Sequence, residues 1–402
     1  MPESIMVNSL SEKFNEATLN AFKLLSHSIG VRTFFVGKTT EETYSVLKVF
    51  NNNGCLVEEG VSVPIEESYC NMVFRNGHIP VIIDDTSMHP ITSQLQLTKA
   101  ANIGSYLGVP IILGDHSMFG TLCAVDPAPY KFTSADLELM QTLANFIGNA
   151  IDLGQAYERI LTEEQRVQTE LEIAKKVQTS VLPESIDCDN FKAHSFYQSS
   201  ESLSGDMYSW FQIAPSKYCV IIIDVMGHGV SASLISMSIR SVLRSLITTI
   251  IEPELVMQEL NRHIYLMFNV HNQTTYATAI YLVVDTVERT VEYVNAGHPY
   301  GLLVEGNNSI TLLHEGCLPL GIFPDLNAKK GTIYYDEAAT LLLYTDGLID
   351  LIDPSIEKGI EILKSLLENQ SNSIEVIRDI QTTYINGKVL TDDVCFVALT
   401  AN

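Results

Sequence analysis

No two of the seven cysteines (Cys55, Cys70, Cys123, Cys188, Cys219, Cys317 and Cys395) stand at CxxC spacing, and an odd number scattered over a long chain is not a disulfide framework. Reduced, mostly buried thiols in a cytoplasmic protein are the expectation. The opening stretch MPESIMVNSLSEKFNEATLN has no basic segment leading into an apolar one, so no secretory signal is expected. No apolar run approaches the ~20 residues that cross a bilayer. Basic residues are scarce: 24 Lys and Arg against 48 Asp and Glu leave a formal charge of −24. Such a surface repels phosphate backbones and anionic lipid, which argues against nucleic acid and membrane as partners. It suits multivalent cations wherever carboxylates converge. Internal repeats and low-complexity tracts are also missing.

What is present is enough apolar material for more than one core. Of 402 residues, 46% are hydrophobic and 18% charged, and at about 100–200 residues per domain two or three domains are expected. Leu10–Ser28 reads as a helix with Phe14, Phe22 and Leu25 on its apolar side. Stretches around Val46–Phe50, Pro80–Asp84, Val109–Leu113 and Gly120–Val125, set apart by Gly, Asn and Asp, read as strands of an antiparallel sheet. Thr133 with Asp136 forms an imperfect capping box ahead of Leu137, Met140, Ala144, Ile147 and Ile151 at helical spacing. Beyond this helix, Ile160, Val167, Ala174 and Val181 recur every seven residues, with Glu164, Leu171 and Gln178 on the adjoining positions. This predicts a weak coiled coil ended by Pro183.

The last 210 or so residues differ in texture. Tyr218–Val225 is a continuous apolar run, as in a strand buried on both faces. Val230–Ile251 reads as a helix. Tyr276–Val284 with Thr290–Asn295, and Gly301–Val304 with Ile310–Leu313, read as hairpins. Thr340–Thr345 and Val394–Leu399 are further strands, so layered sheets covered by helices are expected.

Aspartates recur at the ends of these strands: Asp206 in Ser204-Gly205-Asp206, Asp224 before Gly227-His228-Gly229, Asp346 before Gly347, and the pair Asp392 and Asp393. An Asp-Gly after a strand is, taken singly, most often a turn. Several in one domain can converge on one edge of a sandwich, where hard divalent cations find oxygen ligands. Two such ions about 3.5–4 Å apart can activate water and stabilise phosphoryl oxygens. His228, between two glycines, and His298, in Asn-Ala-Gly-His-Pro, can be read as proton donors to a leaving oxygen or as loop braces; the preference of Mn²⁺ and Mg²⁺ for oxygen favours the brace.

The segments ELEIAKKVQTSVLP (170–183), SGDMY, IIIDVMGHGVSASL, TYATAIYLVVD, VEYVNAGHPYGLLV, LPLGIF, LLLYTDGLID and TDDVCFVAL together resemble the RsbU/SpoIIE-like branch of the PP2C-type phosphatases, in family order across about 230 residues. The segments ANIGSYLGVPIIL, GTLCAVDP and DLELMQTLANFIGNAI resemble a GAF domain. These resemblances imply an α+β protein of two domains. A GAF-like sensor at 1–155, an antiparallel sheet with flanking helices, is followed by a helical linker at 156–190 with a possible coiled coil. A PP2C-like α-β-β-α sandwich occupies 191–402. The second resemblance implies that Asp206, Asp224, the Val225 carbonyl, Asp346 and Asp392 bind two Mn²⁺ or Mg²⁺ ions, with Asp393 the lesser member of its pair. It implies a serine/threonine phosphatase acting through metal-activated water on a phosphoprotein, a STAS-type anti-sigma-factor antagonist, in a bacterial signalling or stress pathway. Linker and GAF domain would form a homodimer. The alternatives are a pseudophosphatase that only docks its partner and a nucleotide-sensing GAF scaffold. Ser204, Met226 and Cys395 depart from the family pattern without removing a carboxylate. The GAF ligand is not implied; its pocket is expected between the sheet and the segment Thr86–Ser105, with Cys70 read as core rather than as a bilin attachment point.

Overall fold

The computed structural model describes residues 3–52, 57–268, 275–305, 309–336, 338–368 and 372–402, with residues 3–12 as backbone only. Cys55 and most of the polar turn between the strands at 301 and 310 lie outside the described residues. The chain divides into two units, Met1–Arg166 and Val167–Asn402.

In the first unit the helix α1 (Glu3–Ser28) leads into β1 (Thr33–Thr39), β2 (Thr43–Asn51) and β3 (Ser62–Pro64). The short helix α2 (Cys70–Arg75), β4 (Val81–Ile83), the short helix α3 (Gln96–Ala100), β5 (Ser105–Ile112) and β6 (Met118–Asp126) follow. The strands form one sheet in the order β3-β2-β1-β6-β5-β4, with every pairing antiparallel. Because side chains alternate across a strand, the sheet carries two cores. Phe34, Val36, Leu107, Val109, Leu122 and Ala124 face Phe22 and Leu25 of α1 and Met140, Ala144 and Ile147 of the next long helix. Phe35, Tyr106, Cys123 and Val125 face the opposite way, against Tyr69 and Cys70. That next helix, α4, runs Ser134–Ser180 without a break. Its start is fixed by the reciprocal bonds of the capping box: Thr133 N–H donates to Asp136 Oδ2 at 2.9 Å, and Asp136 N–H donates to Thr133 Oγ1 at 3.3 Å.

The second unit begins within α4 and continues as β7 (Ile186–Asp187), β8 (Phe191–Gln198), β9 (Met207–Ala214) and β10 (Lys217–Val225). After α5 (Gly229–Leu246) and α6 (Pro253–Phe268) come β11 (Ala277–Asp285), β12 (Thr290–Ala296), β13 (Gly301–Glu305), β14 (Ile310–Leu313), β15 (Gly316–Cys317), β16 (Gly331–Tyr334) and β17 (Ala339–Tyr344). The chain closes with α7 (Asp346–Ile352), α8 (Ile356–Leu367), α9 (Ser373–Ile380) and β18 (Val394–Ala401). One sheet has the order β15-β12-β11-β10-β9, with β16 also on β12; the other is β14-β13-β17-β18-β8-β7.

The expectation that β10 is buried on both faces is met. Tyr218, Val220 and Ile222 pack between the two sheets with Leu341, Leu343, Val397 and Leu399. Cys219, Ile221 and Ile223 pack outward against Ile239 and Leu243 of α5 and Val256 and Leu260 of α6. On the other outer face, Leu342, Tyr344, Phe396 and Ala398 meet Leu348, Leu363, Val376 and Ile380 of α7–α9. The result is a four-layered α-β-β-α sandwich. Among the described residues no helix is long and apolar enough to cross a membrane.

Candidate active site

Strand pairing gathers the aspartates in two sets, one in each sheet. In the first sheet Met207, at the start of β9, pairs with Ile223, near the end of β10, so Asp206 and Asp224 share one sheet end. In the second sheet Tyr344, ending β17, pairs with Phe396, near the start of β18. Asp346 and the Asp392-Asp393 pair therefore share the corresponding end there. The two sheets are fastened at this end by Thr345, whose hydroxyl donates to Asp206 Oδ2 at 2.7 Å and accepts from the Cys395 N–H at 3.1 Å.

The loop that presents Asp206 is held from three sides. Asp393, buried, accepts from the Gly205 N–H at 3.0 Å on one oxygen and from Ser200 N–H and Oγ at 2.8 and 2.9 Å on the other. Ser204 Oγ accepts from the Asp206 N–H at 3.0 Å. Gln178, near the end of α4, donates from Nε2 to the Ser204 carbonyl at 2.7 Å and accepts from the Ser204 N–H on Oε1 at 3.2 Å. Gln178 is 5% exposed and acts as a loop clamp, not as the polar coiled-coil seam position that heptad spacing suggests. Glycine is required at two close approaches. A Cβ at Gly205 would come within 2.9 Å of the Val225 carbonyl oxygen, and one at Gly347 within 2.1 Å of the Asp393 carbonyl oxygen. Gly227 and Gly229, at φ +88° and +78°, turn the chain from β10 into α5.

Burial and mutual repulsion mark the carboxylates electrostatically. Burial, then the Asp224 charge, pushes Asp206 well above the ordinary carboxylate range, with Asp393 and Asp346 adding to it and the Thr345 bond opposing it. Burial, then the charges of Asp346, Asp392 and Asp393, pushes Asp224 up to about 7. Asp346 is raised by burial and by Asp392. Among the described residues no three His, Cys, Asp or Glu side chains close around a single point as a ligand cage. The aspartates face one another across a shared space, and each raises its neighbours' cost of ionisation. That donor set, all oxygen, with Asp206 buried and Asp346 and Asp392 exposed, fits hard divalent cations, which would relieve the repulsion.

Next to the aspartates lies a cavity of about 670 Å³ whose walls include Asp224, Asp346, Thr278, His298, Tyr300 and Asp350. His298 is buried; its Nδ1 is 2.8 Å from Thr278 Oγ1, its N–H donates to Asn295 Oδ1 at 2.8 Å, and its carbonyl accepts from Asn295 Nδ2 at 3.0 Å. Burial lowers its pKa to about 3, so at neutral pH it has no proton to spare as an imidazolium and serves as a brace. His228 is on the surface, with Nδ1 3.0 Å from Glu201 Oε1 and both side chains more than half exposed.

Gln178, Ser200 and Thr345 were not singled out for this site by sequence pattern. Thr345 had a signal, since a Thr before Asp at a helix start reads as an N-cap. It does occupy the N-cap of α7 but makes no cap bond with its side chain, because the hydroxyl is turned onto Asp206.

Comparison with known proteins follows the same division. Residues 12–151 match the GAF domain family, and residues 214–402 match the family described as Stage II sporulation protein E (SpoIIE). Asp206 and Gln178 lie upstream of that second match. Phosphoserine phosphatase RsbP of Bacillus subtilis (strain 168) is 43% identical over 182 residues, 45% of this chain and 45% of that protein. The chain thus spans under half of that relative's length. Phosphoserine phosphatase RsbU of the same organism is 25% identical over 267 residues, 62% of this chain and 78% of that protein. Among solved structures, the SiaA-PP2C domain of Pseudomonas aeruginosa superposes with a TM-score of 0.51 at 16% identity, covering 60% of this chain and 99% of that one. By sequence and fold together, the chain joins a GAF domain, residues 12–151, to a PP2C-type domain of the SpoIIE family, residues 214–402.

Proposed function

We propose that the chain is a metal-dependent protein serine/threonine phosphatase regulated by its GAF domain, and that its substrate is a phosphorylated STAS-type anti-sigma-factor antagonist. The observation that carries this reading is the gathering of Asp206, Asp224, Asp346 and Asp392 at one end of both sheets, beside a cavity large enough for a phosphorylated side chain. The 43% identity to a protein named phosphoserine phosphatase supports it.

Asp206, Asp224, the Val225 carbonyl, Asp346 and Asp392 would hold two divalent cations, Mn²⁺ or Mg²⁺. When bound, these supply an activated water and neutralise phosphoryl charge. The remaining work belongs to the chain. Thr345 holds Asp206 in one orientation, Asp393 and Gln178 pin the loop behind it, and Thr278 and Asn295 keep neutral His298 as a rigid wall. Cys395 is fully buried among apolar side chains, and burial holds its thiol well above the ordinary range, so it is packing and not a nucleophile.

Homodimerisation fits the same reading. Phe146, Leu153, Ile160 and Val167 of α4 recur every seven residues and are each at least half exposed, a stripe that a second copy of α4 would cover. A cytoplasmic location accords with the free thiols. The test is phosphate release from a phosphoserine-bearing STAS protein by the purified chain. Turnover that requires Mn²⁺ or Mg²⁺ and is lost in Asp224→Asn supports the proposal. Stable binding of the phosphoprotein with no turnover under any divalent cation would make the chain a docking module instead.

A further inference from the structure

The second core of the GAF sheet contains a polar knot in otherwise apolar surroundings. Cys70 at the start of α2 and Cys123 in β6 are both buried, with their sulfurs 3.5 Å apart. Thr121, on the same face of β6, sits between them: the Cys123 thiol donates to Thr121 Oγ1 at 3.2 Å, and the Thr121 hydroxyl donates to Cys70 Sγ at 3.1 Å. The Tyr106 hydroxyl lies 3.4 Å from Cys123 Sγ and 3.8 Å from Cys70 Sγ. The two sulfurs are not equivalent: Cys70 Sγ accepts from the Thr121 and Tyr106 hydroxyls, whereas the Cys123 thiol donates to Thr121. Burial opposes ionisation of Cys70, but the bonds from Cys123, Thr121, Tyr44 and Tyr106 outweigh it and lower its pKa, while burial pushes Cys123 well up. Cys70, though only 1% exposed, borders a cavity of about 600 Å³ between the sheet and the segment ending at Ile103, together with Phe35, Tyr44, Val46 and Tyr69.

We propose that Cys70 and Cys123 are a redox-active dithiol, oxidised to a disulfide by a hydroperoxide that enters through this cavity. Cys70 is the attacking sulfur and Cys123 the resolving one. In the first step the Cys70 thiolate bonds to one peroxide oxygen, the O–O bond breaks, and the departing oxygen leaves as hydroxide, which takes a proton to become water; sulfur is oxidised and the peroxide reduced. In the second, Cys123 sulfur bonds to the Cys70 sulfenic sulfur, the S–O bond breaks, and the Cys123 proton leaves with that oxygen as a second water. The balance is two thiols and one hydrogen peroxide to one disulfide and two waters. A dithiol reductant reverses it by exchange. Bonding requires the sulfurs to close from 3.5 Å to about 2.05 Å, so α2 is drawn toward β6 and the cavity it borders changes shape. This chemistry needs no turnover by the phosphatase unit.

The test is a peptide map of the full-length protein after titration with hydrogen peroxide and blocking of free thiols with an alkylating agent under denaturing conditions. Exposed Cys188 is the internal control. The expected result is a Cys70–Cys123 linked peptide pair, formed at peroxide doses that leave Cys188 alkylated and lost again after dithiothreitol. In Cys123→Ser, Cys70 should accumulate as a sulfenic acid trapped by a cyclic 1,3-diketone; if that variant does not fold, the wild-type map decides alone. Cys70 and Cys123 both recovered as free thiols when Cys188 is already oxidised would overturn the proposal, as would Cys70 joined to any other cysteine.

Discussion

Gln178→Leu isolates what a single side chain contributes to the placement of Asp206. Leucine nearly fills the volume of glutamine and keeps the helix propensity of α4, so the change removes two hydrogen bonds and little else. Both bonds are to the backbone of Ser204, which is fully buried. Leaving one buried donor and one buried acceptor unpaired costs about 1–3 kcal/mol each, ~2–6 kcal/mol together. The loop escapes the upper part of that range only by shifting toward water, and it then takes with it Ser204 Oγ, the acceptor for the Asp206 N–H. The expected outcome is a loss of about 2–4 kcal/mol in urea unfolding, together with Mn²⁺ affinity weakened by about tenfold or more, ~1.4 kcal/mol of lost preorganisation. Trp210 is a ready probe: it is the single tryptophan, is buried in the second unit, and donates from Nε1 to the Glu184 carbonyl at 2.9 Å. Calorimetric titration with Mn²⁺ reports the affinity without reference to any substrate. Gln178→Glu keeps an acceptor for the Ser204 N–H but sets a carboxylate against the Ser204 carbonyl, and should be no milder. An unfolding free energy within about 0.5 kcal/mol of wild type, with Mn²⁺ affinity within about twofold, would refute the clamp.

Asp224→Asn removes a half-buried charge that Asp346, Asp392 and Asp393 repel. The cation-free variant should melt above wild type while losing turnover and the melting shift that Mn²⁺ confers; a variant that melts lower and keeps its activity contradicts this. Thr345→Val deprives Asp206 Oδ2 and the Cys395 N–H of their partner, and should cost about 2–4 kcal/mol by urea unfolding, whereas Thr345→Ser, which keeps the hydroxyl, should cost less than half as much. His298 has its folded pKa depressed to about 3, so between about pH 6.5 and 3 the unfolded chain binds a proton that the folded chain does not. Wild type should therefore lose up to about 1.4 kcal/mol per pH unit, relative to His298→Gln, as pH falls through that window; parallel stability curves for the two proteins would show that the imidazole is not held neutral.

How much of this was legible beforehand depends on the reach of the interaction concerned. The run Tyr218–Val225 declared a doubly buried strand because every residue in it is apolar until Asp224, and the capping box at Thr133 and Asp136 is local enough to read from four residues. β8 (FKAHSFYQ) was not read as a strand because His194 and Ser195 interrupt its alternation. Pairing with β18 along its whole length and the cover of α9 override that pattern, and His194 Nδ1 lies 2.9 Å from Ser373 Oγ. α6 carries its own local signal, with Val256, Met257, Leu260 and Ile264 buried at regular helical spacing. The aspartates were visible because Asp at a strand end is conspicuous, but their gathering depends on sheet order, which no local pattern encodes. Gln178 shows the converse. Its heptad position suggests a polar residue in the seam of a weak coiled coil, and only the tertiary approach of the Ser204 loop reveals it as a clamp.

The measurement that bears most directly on the account is an anomalous difference map, collected at the manganese edge from crystals grown with Mn²⁺. The account predicts two peaks about 3.5–4 Å apart, contacted by carboxylate oxygens of Asp206, Asp224, Asp346 and Asp392 and by the Val225 carbonyl, both absent from Asp224→Asn crystals grown alongside. Strong manganese peaks elsewhere with none at this end of the two sheets, or peaks that persist unchanged in Asp224→Asn, would contradict it.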